Sequence, residues 1–192
     1  LVNNLFLTGG ITIRPAKSFS LVTSGDLGLL ANTGEYRLQG ALKIGMGKAG
    51  ILEAGLLSQR RPPDFVQTRL YSTSRFVWAY DFEKPIENTL SAAYTLPLIG
   101  FKATAQSHLV NQFIYFDKNG LPAQTAAALQ VNQLLIQQNF KIGHFRSENA
   151  VALQQANRSD VLHLPTWFSK NSLYYSGLLS KKALLLTAGA DF

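Results

Sequence analysis

Apolar and polar side chains alternate with a period of two along most of the chain. In residues 36–46 the even positions are apolar or glycine, while the odd positions include Arg37 and Lys43. Residues 86–98 follow the same rule, and after a short break it resumes in residues 101–109. Successive side chains of a β-strand point to opposite faces, so this alternation predicts strands with one apolar and one polar face.

Weaker alternation marks further segments, and helical periodicity is not sustained anywhere. These segments cover residues 5–13, 19–29, 52–58, 128–142, 145–153, 173–179 and 184–192. The phase of the alternation changes near Leu134 and Leu135, which predicts a β-bulge there. About ten strands of roughly 9–14 residues result, long enough to cross a bilayer when tilted, whereas strands of globular proteins average about 5–6 residues.

The connections between the predicted strands alternate between tight and long. Tight turns are predicted at residues 15–17, 47–49, 99–100, 143–144 and 180–182, and long segments at residues 62–84, 117–125 and 157–170. In an antiparallel sheet every second connection lies at the same end, and outer-membrane barrels have short turns at one end and longer loops at the other. The short connection at residues 31–34 departs from this rule because it should be long.

Aromatic residues flank both kinds of connection. Those beside the long segments are Trp78, Tyr80, Phe82, Phe113, Tyr115, Phe116, Trp167, Phe168, Tyr174 and Tyr175, and those beside the tight turns are Phe19, Phe101, Phe140 and Phe145. Two aromatic bands, one at each interface, anchor membrane barrels. The alternative is that aromatic residues simply favour strand ends and loop bases.

The composition is low in charge and excludes membrane helices. Charged residues make up 15% of the chain, against about 25% in soluble globular domains. No run of about 18 apolar residues is present, so the chain has no candidate for a spanning helix. Because hydrocarbon offers no partner to free backbone groups, a closed sheet is the remaining way to span. A soluble β-sandwich or barrel would instead turn its apolar face inward, and alternation alone does not distinguish the two.

The sequence therefore predicts the all-β class and an antiparallel transmembrane β-barrel. About ten strands are visible in the pattern, and we expect residues 1–192 to form a single barrel domain that is a fragment of a longer barrel chain. No secretory signal peptide opens the sequence, although a secreted barrel needs one. We therefore expect a mature or internally truncated chain.

Several short segments carry a resemblance to a known family. They read SQRRPPDF at residues 58–65, RLYS at 69–72, FVWAYDF at 76–82, YFD at 115–117 and NSLYY at 171–175. With these segments in order along most of its length, the chain resembles the putative porin family of Bacteroidota outer membranes. The resemblance implies a location in the bacterial outer membrane, and strands missing at one or both ends because members of that family are longer. It carries over no catalytic residue, since these motifs are aromatic and strand-like.

The chain offers little catalytic or metal-binding chemistry. It has no cysteine, and His108, His144 and His163 stand in separate segments without metal-ligand spacing. Ser107 and His108 are adjacent in a predicted strand, so their side chains should point to opposite faces and not meet. The net charge of +7 is spread along the chain without a nucleic-acid-binding signature. We expect no enzyme activity, no cofactor, no metal and no nucleic-acid partner.

The charged strand faces are the strongest functional candidates. In a barrel with an apolar exterior they line the lumen, and the candidate residues are Glu35, Arg37, Lys43, Glu87 and Lys102. An excess of cations there would favour anions, because rings of charge set the selectivity of a pore. The alternative is a filled interior in which these charges pair with one another.

The long segment at residues 60–84 is a second candidate because it mixes basic and aromatic side chains. Its candidate residues are Arg60, Arg61, Arg69, Arg75, Trp78 and Tyr80. As a functional element, it would fold inward as a constriction, bind an anionic polysaccharide or dock a partner protein. The alternative is an ordered external loop whose rings pack on the barrel rim.

Together these patterns predict a porin-like barrel that lets small polar solutes diffuse passively across a bacterial outer membrane. Its expected partners are outer-membrane lipid, small polar solutes and other outer-membrane proteins. The alternative is a non-conducting barrel that scaffolds an outer-membrane or secretion complex through its external loops. A third hypothesis, a barrel-borne hydrolase, depends on Ser107 and His108.

Overall fold

Ten long antiparallel strands form the main sheet of the protein. The computed structural model describes residues 4–72, 75–179 and 184–192. The strands of the sheet are β1 (Leu5–Ala16), β2 (Phe19–Leu29), β3 (Tyr36–Gly45), β4 (Ile51–Arg60), β7 (Ile86–Leu96), β8 (Phe101–Asn111), β11 (Leu129–Ile142), β12 (Phe145–Ala156), β13 (Trp167–Leu179) and β14 (Leu184–Asp191). They are hydrogen-bonded in that order, each to its predecessor. The predicted all-β antiparallel class is confirmed, and so is the place of every predicted strand.

Four shorter strands lie in the connections. In the segment between β4 and β7, helix α1 (Phe65–Thr68) is followed by the hairpin of β5 (Arg69–Ser72) and β6 (Arg75–Ala79). In the segment between β8 and β11, β9 (Ile114–Phe116) pairs with β10 (Pro122–Gln124). Among the described residues, no helix is long and apolar enough to cross a membrane.

The registers keep one face of the main sheet apolar from strand to strand. A single row of paired residues on this face runs through nine strands: Ile13, Leu21, Leu42, Ala54, Ala92, Ala105, Leu134, Leu153 and Trp167. The opposite face, which we call the polar face, carries the charged and amide side chains of the same strands. Because a one-residue slip would exchange the faces, the alternation in the sequence fixes these registers.

The apolar face is the more exposed of the two. Leu38, Leu56 and Leu90 are 49%, 52% and 59% exposed, whereas Ala152 and Leu129 of the polar face are 0% and 2% exposed. A soluble sandwich or barrel would bury these leucines in its core. The sheet does the reverse, so the leucines are not the core of a water-soluble body.

The sheet is open. Within the described residues, β1 and β14 are its two edges and are not hydrogen-bonded to each other. Their outer backbone groups therefore lack the ladder partners that a closed barrel provides.

The connections differ in length at the two ends of the sheet, as predicted. At the turn end they are residues 17–18, 46–50, 97–100 and 143–144, and at the loop end residues 30–35, 61–85, 112–128 and 157–166. The short connection at the loop end, which the alternation rule did not explain, is folded around a 3₁₀ turn at Leu30–Asn32. The predicted turn at residues 180–182 lies outside the described residues.

The predicted bulge in β11 was wrong. β11 pairs with both neighbours through Leu134 and Leu135 without a shift of register. The phase of the alternation changes there because Leu135 belongs to the polar face, where it pairs with the buried Ala152. The register shifts instead in β1, between Ile13 and Ala16, where a proline removes one ladder hydrogen bond.

One pair of aromatic residues lies at the opposite end from the predicted one. Tyr174 and Tyr175 were expected beside a long segment, but Tyr175 is paired with Phe145 near the turn end, and the two ring centroids are 5.4 Å apart. The error arose because β13 begins at Trp167, well before the alternating residues that marked it. The apolar face near the turn end therefore carries six aromatic residues, Phe19, Tyr94, Phe101, Phe140, Phe145 and Tyr175.

Candidate functional site

Four of the five residues predicted to line a lumen share the polar face. Arg37 and Glu87 lie in one row, joined through Gln59 of the strand between them. Lys43 lies on the same face nearer the turn end, and Lys102 pairs with a threonine of β7 on that face. The polar face therefore collects charges that are far apart in the sequence.

Near the turn end, Lys43 and Glu53 form an ion pair across β3 and β4. The Lys43 Nζ atom lies 3.1 Å from Glu53 Oε1, and both side chains are more than a third exposed. Because an exposed pair is screened by water, it adds little to stability. Its effect is to cancel one positive charge on the polar face.

Near the loop end, Glu87 anchors the start of the long connection 61–85. Arg61 donates to Glu87 Oε1 from Nε at 3.2 Å and from Nη2 at 3.1 Å, and Gln59 donates to the other carboxylate oxygen. Both guanidinium donors converge on the same carboxylate oxygen, and hydrogen bonds between charged groups are stronger than those between neutral groups. Arg61, predicted as part of an external loop, therefore ties that loop to the polar face.

Glu35 lies just before β3 rather than in the strand, and it forms the second anchor of the long connection. Its carboxylate accepts a hydrogen bond from Lys84 Nζ at 2.8 Å and one from Asn32 Nδ2 at 3.1 Å. The Glu35 side chain is only 9% exposed and that of Lys84 is 28% exposed. This partly buried pair, which we call the Glu35–Lys84 clamp, holds the end of the connection against the loop between β2 and β3.

The remaining candidates in residues 60–84 form a layer of packed loops. Trp78 Nε1 donates to the Val66 carbonyl at 3.1 Å, and its ring meets Phe116 of the next loop edge-to-face at a centroid distance of 6.2 Å. The Tyr80 ring stacks on Phe82 at 5.4 Å. Arg69 opens β5 with its side chain exposed, and the side chain of Arg75 lies outside the described part of the chain. The rings therefore hold two loops together at the loop end.

Arg60 differs from its neighbour Arg61 because it lies on the apolar face, in register with Tyr36 and Ile86. Its Nε atom is buried without a hydrogen-bond partner. Together with Thr33, Asp81 and Lys84, among others, it lines a cavity of about 310 Å³ at the loop end. No chemistry follows from this cavity by itself.

The middle of the polar face carries amides and hydroxyls instead of charges. Ser91, Gln106, Gln133 and Gln154 form one row across four strands. Sequence reasoning missed these glutamines because it looked for charge. The alternation of polar and apolar residues along these strands was the signal that could have placed the glutamines on the polar face.

Several cations of the polar face have no ion-pair partner among the described residues. Lys102 is one of them, and Lys141 and Lys170 are two that the sequence reasoning missed. All three belong to β8, β11 and β13, whereas the ion pairs lie on β3, β4 and β7 and in the loops. Arg37 on β3 and Arg146 on β12 also lack an ion-pair partner among the described residues, so unpaired cations lie in both halves of the sheet.

Ser107 and His108 do not come together. The Nδ1 atom of His108 lies 3.0 Å from the Thr89 hydroxyl on the polar face, whereas Ser107 accepts a hydrogen bond of 3.4 Å from Gln130 on the apolar face. A general base must reach the hydroxyl that it activates, and this histidine does not. The described residues also contain no cluster of three or more potential metal ligands.

The loops at the loop end are stabilised locally by carboxylates. Backbone hydrogen bonds, above all from Leu121, lower the pKa of Asp117, which accepts from Leu121 and Asn119 in a tight turn. The Arg158 guanidinium likewise lowers the pKa of Asp160, and the two side chains are 2.7 Å apart. These turns order the loops without forming a binding site.

A family model described as "Putative porin" matches residues 2–192, which is nearly the whole chain. No curated protein matches the chain.

Proposed function

This chain belongs to the putative porin family, and from that premise we propose that it forms part of an outer-membrane barrel through which small polar solutes diffuse passively. The observation that carries the proposal is the chemistry of the two faces of the main sheet. The apolar face meets lipid, and the polar face lines an aqueous lumen. Substrate-specific binding and catalysis are not part of this function.

The charge distribution supports the contact with lipid. Among the described residues that are paired in the sheet, Arg60 is the one charged residue on the apolar face, and it is the last residue of β4. A charge at the bilayer midplane costs about 2–4 kcal/mol, and a charge near the interface costs little. A strand face in contact with water would be expected to carry more than one charged residue.

The open edges support a larger barrel. In hydrocarbon, unpaired N–H and C=O groups on a strand edge are too costly to persist, so a membrane sheet has to close. The ten strands leave β1 and β14 apart. We therefore propose that further strands complete the barrel, and that the polar face is one segment of its wall.

The first prediction is that the purified full-length protein conducts. In a planar lipid bilayer we expect discrete, stepwise increases in ion current, because a lumen lined by amides and charges stays filled with water. A matched preparation that has been heat-denatured is the control. A protein that inserts with its fold intact but passes no current would overturn the proposal.

The second prediction concerns selectivity. Lys102 lies on the polar face without an ion-pair partner among the described residues, so we expect Lys102→Glu to shift the reversal potential in a salt gradient towards cations. Lys48→Glu is the matched control, because Lys48 lies in the turn between β3 and β4 and should change the reversal potential far less. Equal shifts in the two variants would argue against a lumen on the polar face.

The scaffold hypothesis has one supporting observation. The long connection exposes apolar side chains at its tip, where Phe65 and Tyr71 are 71% and 62% exposed. Exposed apolar groups of this kind mark contact surfaces for partners. A silent bilayer with a folded barrel would favour this second function over the first.

A further inference from the structure

Two rows of the apolar face carry polar side chains on β11 and β12. One contains Ser107, Asn132 and Gln155 and lies nearer the loop end, and the other lies nearer the turn end. Gln138, Asn149 and Asn171 pair with one another across β11, β12 and β13. They lie on the face that carries Leu134, Leu153 and the aromatic residues of the turn end. Three carboxamides therefore stand side by side on the face proposed to meet lipid.

The amide row runs from the turn end into the apolar zone. Gln138 is in register with Phe101 at the start of β8, whereas Asn171 lies in the interior of β13. Along β11 it is preceded by Ile136 and followed by Phe140, both of which are more than a third exposed. Nearer the turn end, the contact between Phe145 and Tyr175 closes the zone. Apolar side chains therefore flank the row along β11, and its Asn171 end lies within the apolar zone.

The amides are only partly satisfied within the chain. Asn149 Nδ2 donates to the Gln138 backbone carbonyl at 3.2 Å and to Ser147 Oγ at 3.0 Å. Gln138 Nε2 donates to the Ile99 carbonyl. Among the described residues, nothing donates to the side-chain oxygens of Gln138 and Asn149, and the Asn171 side chain has no hydrogen-bond partner. Lipid tails offer none either, so a bare row is unfavourable in a bilayer.

The other half of the sheet has no such row. At the middle of β3, β4 and β7 the apolar face carries only aliphatic residues and glycine, namely Leu38, Gly40, Leu42, Ala54, Leu56, Leu90 and Ala92. The polar pair Ser58 and Asn88 on this face lies near the loop end, and its members bond to each other at 2.7 Å. The amide row is therefore a local feature of β11, β12 and β13.

We propose that this row is the centre of an interface with a second copy of this chain within the membrane, a proposal that rests on the proposed function because it needs the apolar face in lipid. A carboxamide is both donor and acceptor, so a row of three is complementary to the same row turned by a two-fold axis. In such an isologous contact each copy presents the same patch. The free Asn171 amide of one copy then supplies donors to the free oxygens of its partner.

The available area is sufficient for such a contact. The five strands from β8 to β14 span about 24 Å at a spacing of about 4.8 Å per strand, over an apolar band about 25 Å tall. This gives roughly 600 Å² per copy and roughly 1,200 Å² in total, above the size of about 1,000 Å² expected of a biological interface. Hydrogen bonds between polar side chains are one of the forces that associate proteins in lipid.

The absence of cysteine makes cross-linking a clean test. Asn149 is the middle residue of the row and therefore lies on the two-fold axis. In the full-length protein in membranes, we expect Asn149→Cys to form a disulfide-linked dimer as its main oxidised product, because it is the position of the row that faces its own copy closely enough for a disulfide. Asn88→Cys, on the same face of β7, is the matched control and should stay monomeric. A monomeric Asn149→Cys protein, cross-linking at Asn88 instead, or cross-linking of Asn149→Cys to a different protein would each overturn the proposal.

A second variant separates this interface from the proposed function. Replacing Gln138, Asn149 and Asn171 together by leucine makes this part of the face more apolar, so the barrel should still insert and conduct. We expect its mass in detergent to fall from that of a dimer to that of a monomer. A dimer that survives the triple replacement contradicts the interface, whereas wild-type protein that fails to conduct contradicts the proposed function.

Discussion

Replacing Leu56 by arginine is expected to destabilise the protein in a bilayer. The free energy of unfolding should fall by about 2–4 kcal/mol, the cost of an arginine at the membrane midplane. Leu56 lies in the middle of β4 on the apolar face and is 52% exposed. A cost of this size is a large fraction of the stability of a typical domain. It is measured by urea titration of the protein in lipid vesicles, with the mobility shift of the folded barrel as the readout.

Ala41→Arg is the matched control for Leu56→Arg. Ala41 lies in the middle of β3 on the polar face, opposite Gly55, and borders a cavity of about 290 Å³. An arginine there reaches water in the proposed lumen, so we expect a change of no more than about 0.5 kcal/mol, as at ordinary surface positions. The opposite ranking, with Ala41→Arg blocking insertion and Leu56→Arg tolerated, would mean that the polar face meets the less polar surroundings.

The strands could be predicted from the sequence because the signal that specifies them is local. Alternation places each side chain on one face or the other, and all strands of the main sheet were found in this way. The prediction failed where apolar residues lie on the polar face. Leu135 pairs with the buried Ala152 on the polar face, and the resulting change of phase resembled a bulge.

The charged faces could be predicted for the same local reason, but the ion pairs could not. Arg37, Lys43, Glu87 and Lys102 fall on one face because they obey the alternation. Glu35 and Lys84 are 49 residues apart in the sequence, and their contact depends on how the long connection folds back over the loop end. No periodicity carries that information.

The amide row shows a second limit of prediction from the sequence alone. Its residues Gln138, Asn149 and Asn171 are polar, and in the sequence alone they only weaken the alternation of β11, β12 and β13. The registers that align them across three strands are needed before they become a feature of one face. A sequence pattern that appears weaker than expected can therefore mark a surface with a second role.

The Glu35–Lys84 clamp should be the most sensitive point of the loop end. Removing one partner of a buried ion pair leaves the other charge uncompensated, at a cost of about 3–5 kcal/mol. The Lys84 side chain is 28% exposed, so water recovers part of that cost and we expect the lower limit, about 3 kcal/mol. Since Lys84 ends the connection 61–85, the cost is relieved by release of that loop rather than by unfolding of the sheet.

Glu35→Ala is therefore expected to increase hydrogen exchange at residues 80–85 strongly, while exchange in β3 and β4 stays close to that of the unaltered protein. Asp160→Ala is the matched control, since it breaks an exposed pair of 2.7 Å to Arg158 in another loop, which water screens, and it should leave exchange at residues 80–85 unchanged. In the proposed pore, release of the loop also changes the single-channel conductance, because Arg61 still ties the start of the connection to Glu87 on the polar face. Unchanged exchange at residues 80–85 in Glu35→Ala would show that the clamp does not hold the loop.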